Sequence, residues 1–248
     1  MAAKSPSVIE LNNKMIALEC ELVKLKAEFA KSLKLATHKP REIPYGLEQL
    51  CKYLKSGDMP EPLAVGDYIN FELITGEPMV AYVTGVMHDK MSDGTTADYT
   101  FGFTPLDGYY EMNDESDNST SWKNSKGRIA ASRVFKLLPV CLQECIVKAK
   151  KLTSAGNKST KIIETEDLLF LFSEVEVLGR TPYSVKGEGE QYEFFKVIEN
   201  IKKIFKRDSW LRSPDRDSSG SFWSVIDDGS ADWYSADCDF ALPFGFCA

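Results

Sequence analysis

From Val8 onward the apolar residues fall three and four positions apart, at Val8, Leu11, Met15, Leu18, Leu22, Leu25 and Phe29. That spacing is the a/d repeat of a coiled coil over about three heptads. Glu10, Lys14, Glu19, Glu21, Lys24, Lys26, Glu28 and Lys31 stand between them, mixed in sign and suited to a solvated face. A second stripe at Ile9, Ile16 and Val23 widens the apolar face beyond a two-stranded seam, so residues 1–37 are expected to hold a homotrimer. Three heptads are marginal in isolation, and the alternative is a helix folded back on its own globular domain.

Residues 38–64 read as a linker, with a break over Thr37 to Pro44 and a short helix over Tyr45 to Leu54. The period then changes. Tyr68 to Ile74 and Met79 to Met87 are strand-like and separated by Thr75-Gly76-Glu77-Pro78, a hairpin, and Tyr99 to Phe103 is a further strand. Asp107 to Ser125 has no periodicity and reads as a surface loop. Helices are expected over Arg128 to Leu138 and Val140 to Leu152, split by Pro139, and over Tyr192 to Phe205, with a helical turn entered through Ser173 and a short strand at Leu168 to Phe172. Strands, then helices, then the short strands of the last forty residues imply an α+β head over residues 65–248.

Charge and composition narrow the chemistry. Thirty Lys and Arg against 37 Asp and Glu give a net charge of −7, without the cationic surplus that nucleic-acid binding uses. His38 and His88 are the whole imidazole supply, and no acidic pair or Ser near either suggests a triad or a His-based metal site. Six cysteines are spread along the chain without a C-x-x-C pair, as expected of free thiols in a reducing compartment. No apolar run approaches the roughly 18 to 20 residues that span a bilayer, so no membrane insertion is expected. No cofactor is implied. The aspartates of the tail lack EF-hand spacing, and an Asp-Gly turn explains Asp228 by itself.

The tail carries Ser209-Trp210-Leu211-Arg212-Ser213-Pro214, then Ser221-Phe222-Trp223-Ser224-Val225, Asp228-Gly229, and Leu242-Pro243-Phe244-Gly245-Phe246-Cys247. Upstream stand Trp122-Lys123-Asn124-Ser125, Asp167 to Ser173, Glu176-Val177-Leu178-Gly179 and Glu188-Gly189-Glu190-Gln191-Tyr192. In this order the blocks resemble an uncharacterised bacterial and phage domain family marked by a WLRSP motif and a closing PxFC-like segment. The chain departs from it at Ala241-Leu242-Pro243-Phe244, where many members carry Gly-Val before the proline.

The resemblance implies a C-type-lectin-like fold, similar to phage receptor-binding proteins and to the formylglycine-generating enzyme superfamily. It also implies a binding face between Asp215 and Asp239, with Ser219, Ser221, Trp223, Asp227, Asp228, Trp233, Tyr234 and Asp237 as candidate ligand-binding residues. Trp210 is expected in the core. The expected protein is a non-enzymatic virion fibre or decoration component, made in the host cytoplasm. It would attach to a bacterial surface glycan or protein and meet other virion proteins through its N-terminal helix. A purely structural decoration is the alternative. A formylglycine-generating type of enzyme would need Cys238 and Cys247 as a reactive pair, and Asp237 and Asp239 beside Cys238 oppose thiolate formation.

Overall fold

The computed structural model describes residues 14–15, 17–19, 21–22 and 38–248, and the chain divides into two units, Met1–Lys39 and Pro40–Ala248. In the first unit the described residues before His38 are helical, with Met15, Leu18 and Leu22 exposed. Val8, Leu11, Leu25 and Phe29 lie outside the described residues.

In the second unit the alternation in β1 (Tyr68–Glu72) turns Ile69 and Phe71 inward, and β2 (Pro78–Val86) pairs with it through the expected turn. With β3 (Tyr99–Phe103), β10 (Phe244–Cys247) and β6 (Phe170–Leu171) they form an antiparallel sheet in the order β1-β2-β3-β10-β6. Gly102 of β3 and Gly245 of β10 are direct partners, and the ring of Phe172 rests on both. A Cβ would come within 3.0 Å of that ring at Gly102 and within 2.8 Å at Gly245, so the close approach of ring to backbone requires glycine.

A second sheet pairs β4 (Ala149–Ser154) with β5 (Ile162–Asp167), and a third has the order β7 (Ser209–Pro214), β8 (Ser221–Val225), β9 (Ala231–Ser235). The helices are short: α1 (Leu47–Ser56), α2 (Lys126–Phe135), α3 (Val140–Cys145), α4 (Glu174–Leu178) and α5 (Ile198–Ile204), with a 3₁₀ turn at Glu193–Lys196. Ser173 caps α4 as expected, in a reciprocal box with Glu176.

This architecture corrects the expected C-type-lectin-like head behind a coiled-coil helix, and it meets the α+β expectation only in part, since sheets dominate and the helices are few and short. Among the described residues there are ten strands in three antiparallel sheets and no long coiled-coil helix. The helix expected over Val140 to Leu152 ends at Cys145, and Ala149–Ser154 pairs as a strand with β5. The helix expected over Tyr192 to Phe205 is divided at Val197.

An ionic cluster joins the sheets. Arg212 on β7 binds both carboxylate oxygens of Glu176 on α4, with Nη2 2.8 Å from Oε1. It also donates to the carbonyls of Leu171 at 2.7 Å and Glu188 at 2.8 Å. Lys151 on β4 lies 2.7 Å from Glu176 and 2.8 Å from Asp89, which accepts from Thr100 and Tyr192. Two cations and two carboxylates, all buried, neutralise one another. The Arg of the WLRSP block is therefore a joint of the scaffold.

Candidate functional site

The register of β8 and β9 sets Ser221 opposite Ser235, Phe222 opposite Tyr234 and Trp223 opposite Trp233. Residues directly opposite each other share a face of the sheet, and successive pairs alternate. Phe222 and Tyr234 therefore point inward with Trp210, which is fully buried as expected, and Phe240, whose ring lies 4.7 Å from Trp210 and 4.6 Å from Tyr234. Ser221, Trp223, Trp233 and Ser235 occupy the outer face.

Along that face the candidate residues divide. Trp233, on the edge strand, is 55% exposed. Trp223 beside it is only 2% exposed, because the ring of Tyr183 lies flat on it at 4.4 Å and 13°. Ser221 is buried, its hydroxyl 3.1 Å from that of Ser218. Ser219 is exposed, and its carbonyl accepts from the Asn118 amide. Asp227 and Asp228 lie in the β8–β9 turn, where bonds from the Ser230 side chain and amide hold the Asp228 carboxyl below its usual range. Tyr234 is half-buried against Phe240. Asp237 is exposed and accepts the Ser235 hydroxyl proton, and the Ser116 hydroxyl lies 2.7 Å from the same Ser235 oxygen.

The structure thus brings together an open indole, two serine hydroxyls and the Asp237 carboxylate. Ser116 and Tyr183 had no signal in the sequence, since they arrive from loops about 110 and 40 residues upstream of strands β8 and β9. Ser235 was legible by strand alternation, two positions beyond Trp233. Asn118, inside the stretch read as a plain surface loop, is buried and donates its side-chain amide to the carbonyls of Ser218 and Ser221 at 2.9 and 2.8 Å.

The ionic cluster beneath is the other concentration of titratable groups. Burial pushes the Asp89 carboxyl up, but Lys151 and the bond from Thr100 outweigh it and hold the group down at about 2. Burial likewise opposes the charge on Glu176, and Arg212 with Lys151 prevails. Burial drives Glu188 up to about 7 despite bonds from Ser213 and the Ser154 amide. The cleft above the cluster, about 260 Å³, is lined by His88, Lys150, Glu164 and Glu190. A larger cleft of about 700 Å³ has a basic rim of Lys123, Lys136 and Lys148, with the Arg128–Asp167 ion pair among its lining residues. The charges of Arg212, Lys151, Glu176 and Asp89 match one another, and Glu188 beside them is sealed from solvent.

The tail thiols offer no activated nucleophile either. Burial, then the nearby Asp89 charge, raises the Cys247 pKa well above the ordinary thiol value, and Cys238 is half-buried in the turn after β9. Among the described residues no three His, Cys, Asp or Glu side chains are arranged to hold a metal ion, and no helix is long and apolar enough to cross a membrane.

A family model described as a domain of unknown function, DUF6273, matches residues 95–243, more than half of the chain. The chain belongs to the DUF6273 family. The matched stretch of this DUF6273 domain contains Lys151, Glu176 and Arg212 of the cluster and the whole β7–β9 sheet, while β1, β2 and β10 lie outside it. No curated protein and no solved structure matches the chain.

Proposed function

We propose that this DUF6273 protein is a non-enzymatic attachment component of a phage particle, holding a bacterial surface glycan on the outer face of the β7–β9 sheet. Trp233 carries the reading: a large aromatic ring left open on an edge strand, beside the hydroxyls of Ser235 and Ser116 and the carboxylate of Asp237. An indole offers the apolar face of a sugar ring a stacking surface, and hydroxyls and a carboxylate fix its hydroxyl groups. The placement in a phage particle is supported by the resemblance of the tail blocks to a bacterial and phage family.

Trimerisation through the residues before Pro40 completes the proposal. The exposed apolar side chains of Met15, Leu18 and Leu22 support it, and three weak sites on one assembly bind with an avidity that no single site provides. Raised thiol pKa at Cys247 and a matched ionic cluster supply no activated nucleophile, which favours binding over turnover.

The test is adsorption of the full chain to polysaccharide extracted from bacterial envelopes. Binding that Trp233→Ala abolishes supports the reading. Binding indifferent to that change removes the site, and no adsorption to any such polysaccharide leaves a purely structural decoration.

A further inference from the structure

Trp223 and Trp233 point to the same side of β8 and β9, yet one is roofed and the other open. The roof, Tyr183, is itself 49% exposed although its ring lies flat on the indole. It belongs to residues 180–186, a strap without helix or strand that runs between Gly179 and Gly187, both at left-handed φ, 69° and 108°. The Ser184 amide ties it to Glu174 Oε2 at 2.8 Å, and the Tyr183 carbonyl accepts from the Arg216 amide at 3.1 Å.

Three buried side-chain atoms among the described residues have no hydrogen-bond partner: Trp223 Nε1, Ser184 Oγ and Glu174 Oε1. All three belong to the strap or to residues it touches. Ser184 and Glu174 are neighbours and can satisfy each other by a rotation. Trp223 Nε1 can only donate, and its ring is fixed between the sheet and Tyr183. Buried donors are almost always paired, so an orphan under a displaceable ring marks a position that another molecule completes.

We propose that Tyr183 stands in for a ligand ring, and that a glycan displaces the strap to lie across Trp223 and Trp233 together. A ligand oxygen accepts from Trp223 Nε1, and once the strap has carried Ser184 away a ligand hydroxyl donates to Glu174. The ligand class follows from the two indoles. Trp223 and Trp233 side by side fit a sugar chain at least two rings long. Arg180, Lys186 and Arg216 in or beside the strap offset Glu174 and Asp237, so no charge surplus calls for a polyanion and the occupant is a neutral sugar chain. The inference rests on the reading that this face binds a glycan.

The experiment uses the full chain, polysaccharide extracted from bacterial envelopes, and polygalacturonate as a polyanionic probe. Removing the built-in competitor with Tyr183→Ala is expected to tighten polysaccharide binding about two- to tenfold, the range of one aromatic stack. Tyr183→Phe, which keeps the stack, is expected to bind as the unaltered chain does, and Trp233→Ala to lose binding. Hydrogen exchange at residues 180–186 is expected to outpace that of β8 and to rise on adding polysaccharide.

Loss of binding in Trp233→Ala with no gain in Tyr183→Ala, or strap amides as protected as those of β8, overturns the inference and leaves the glycan reading standing. Binding unaffected by Trp233→Ala overturns both. Binding of polygalacturonate alone overturns the assigned ligand class.

Discussion

Arg212 grips Glu176 with both terminal guanidinium nitrogens, and neither residue meets solvent. A lysine ammonium cannot reproduce that fork or reach the carbonyls of Leu171 and Glu188 as well. Arg212→Lys is expected to destabilise the chain by about 1–3 kcal/mol, because a cation remains beside Glu176 but buried carbonyls lose their donors. The midpoint of denaturant unfolding measures this.

Glu188 gives stability a pH dependence at unusually high pH for a carboxyl. Its folded value is pushed up to about 7 from an ordinary 4.5, so between these values the folded chain keeps a proton that the unfolded chain has released. Unfolding free energy therefore falls as pH rises from about 4.5 to about 7, on the order of 3 kcal/mol in all. Asp89, held at about 2 against an ordinary 3.8, adds stability that is fully present above 3.8 and is lost as pH falls through about 2. In a series of unfolding curves against pH, Glu188→Gln is expected to flatten the limb between 4.5 and 7 and to leave the acid limb in place.

Asn118 holds the β7–β8 loop by donating to main-chain oxygens. Asn118→Ala is expected to cost about 1–3 kcal/mol through the unpaired carbonyls it leaves. Asn118→Asp should cost more, since a carboxylate would then face those oxygens. Thermal unfolding ranks the two.

The two outer tryptophans should separate stability from binding. Trp223→Ala is expected to lose about 3–5 kcal/mol of stability as a buried ring is removed. Trp233→Ala should stay within about 0.5 kcal/mol, as surface changes do, while losing glycan adsorption.

Solution mass tests the assembly. Sedimentation of residues 1–248 beside residues 39–248 is expected to show a trimer that becomes a monomer on truncation. Equal monomeric masses would remove the trimer.

The first hairpin, β3, the Ser173 cap and the short strands of the tail were legible because their alternation or capping residues are local. Strand β4 was not, because its polarity is inverted. Lys151 points inward to Asp89 and Glu176, while Leu152 is turned outward, so a rule that puts apolar residues inside fails there. The segment after Tyr192 reads as one continuous helix because nothing in its composition marks the break at Val197. At the candidate site Trp233 was legible as a tail aromatic, but the burial of Trp223 was not. Burial there depends on Tyr183, a residue of another segment, and no local pattern announces such a neighbour.

Strand β10 is made last of the ten, yet it lies between β3 and β6 in the five-stranded sheet. On the ribosome, β1, β2 and β3 can join as they emerge, but β3 and β6 must wait with unsatisfied edges until Phe244–Cys247 arrives to bridge them. A chain that lacks Phe244–Cys247 therefore presents two sticky strand edges instead of a slightly smaller sheet. Deleting β10 should yield aggregates, where deleting the edge strand β1 should cost far less soluble yield.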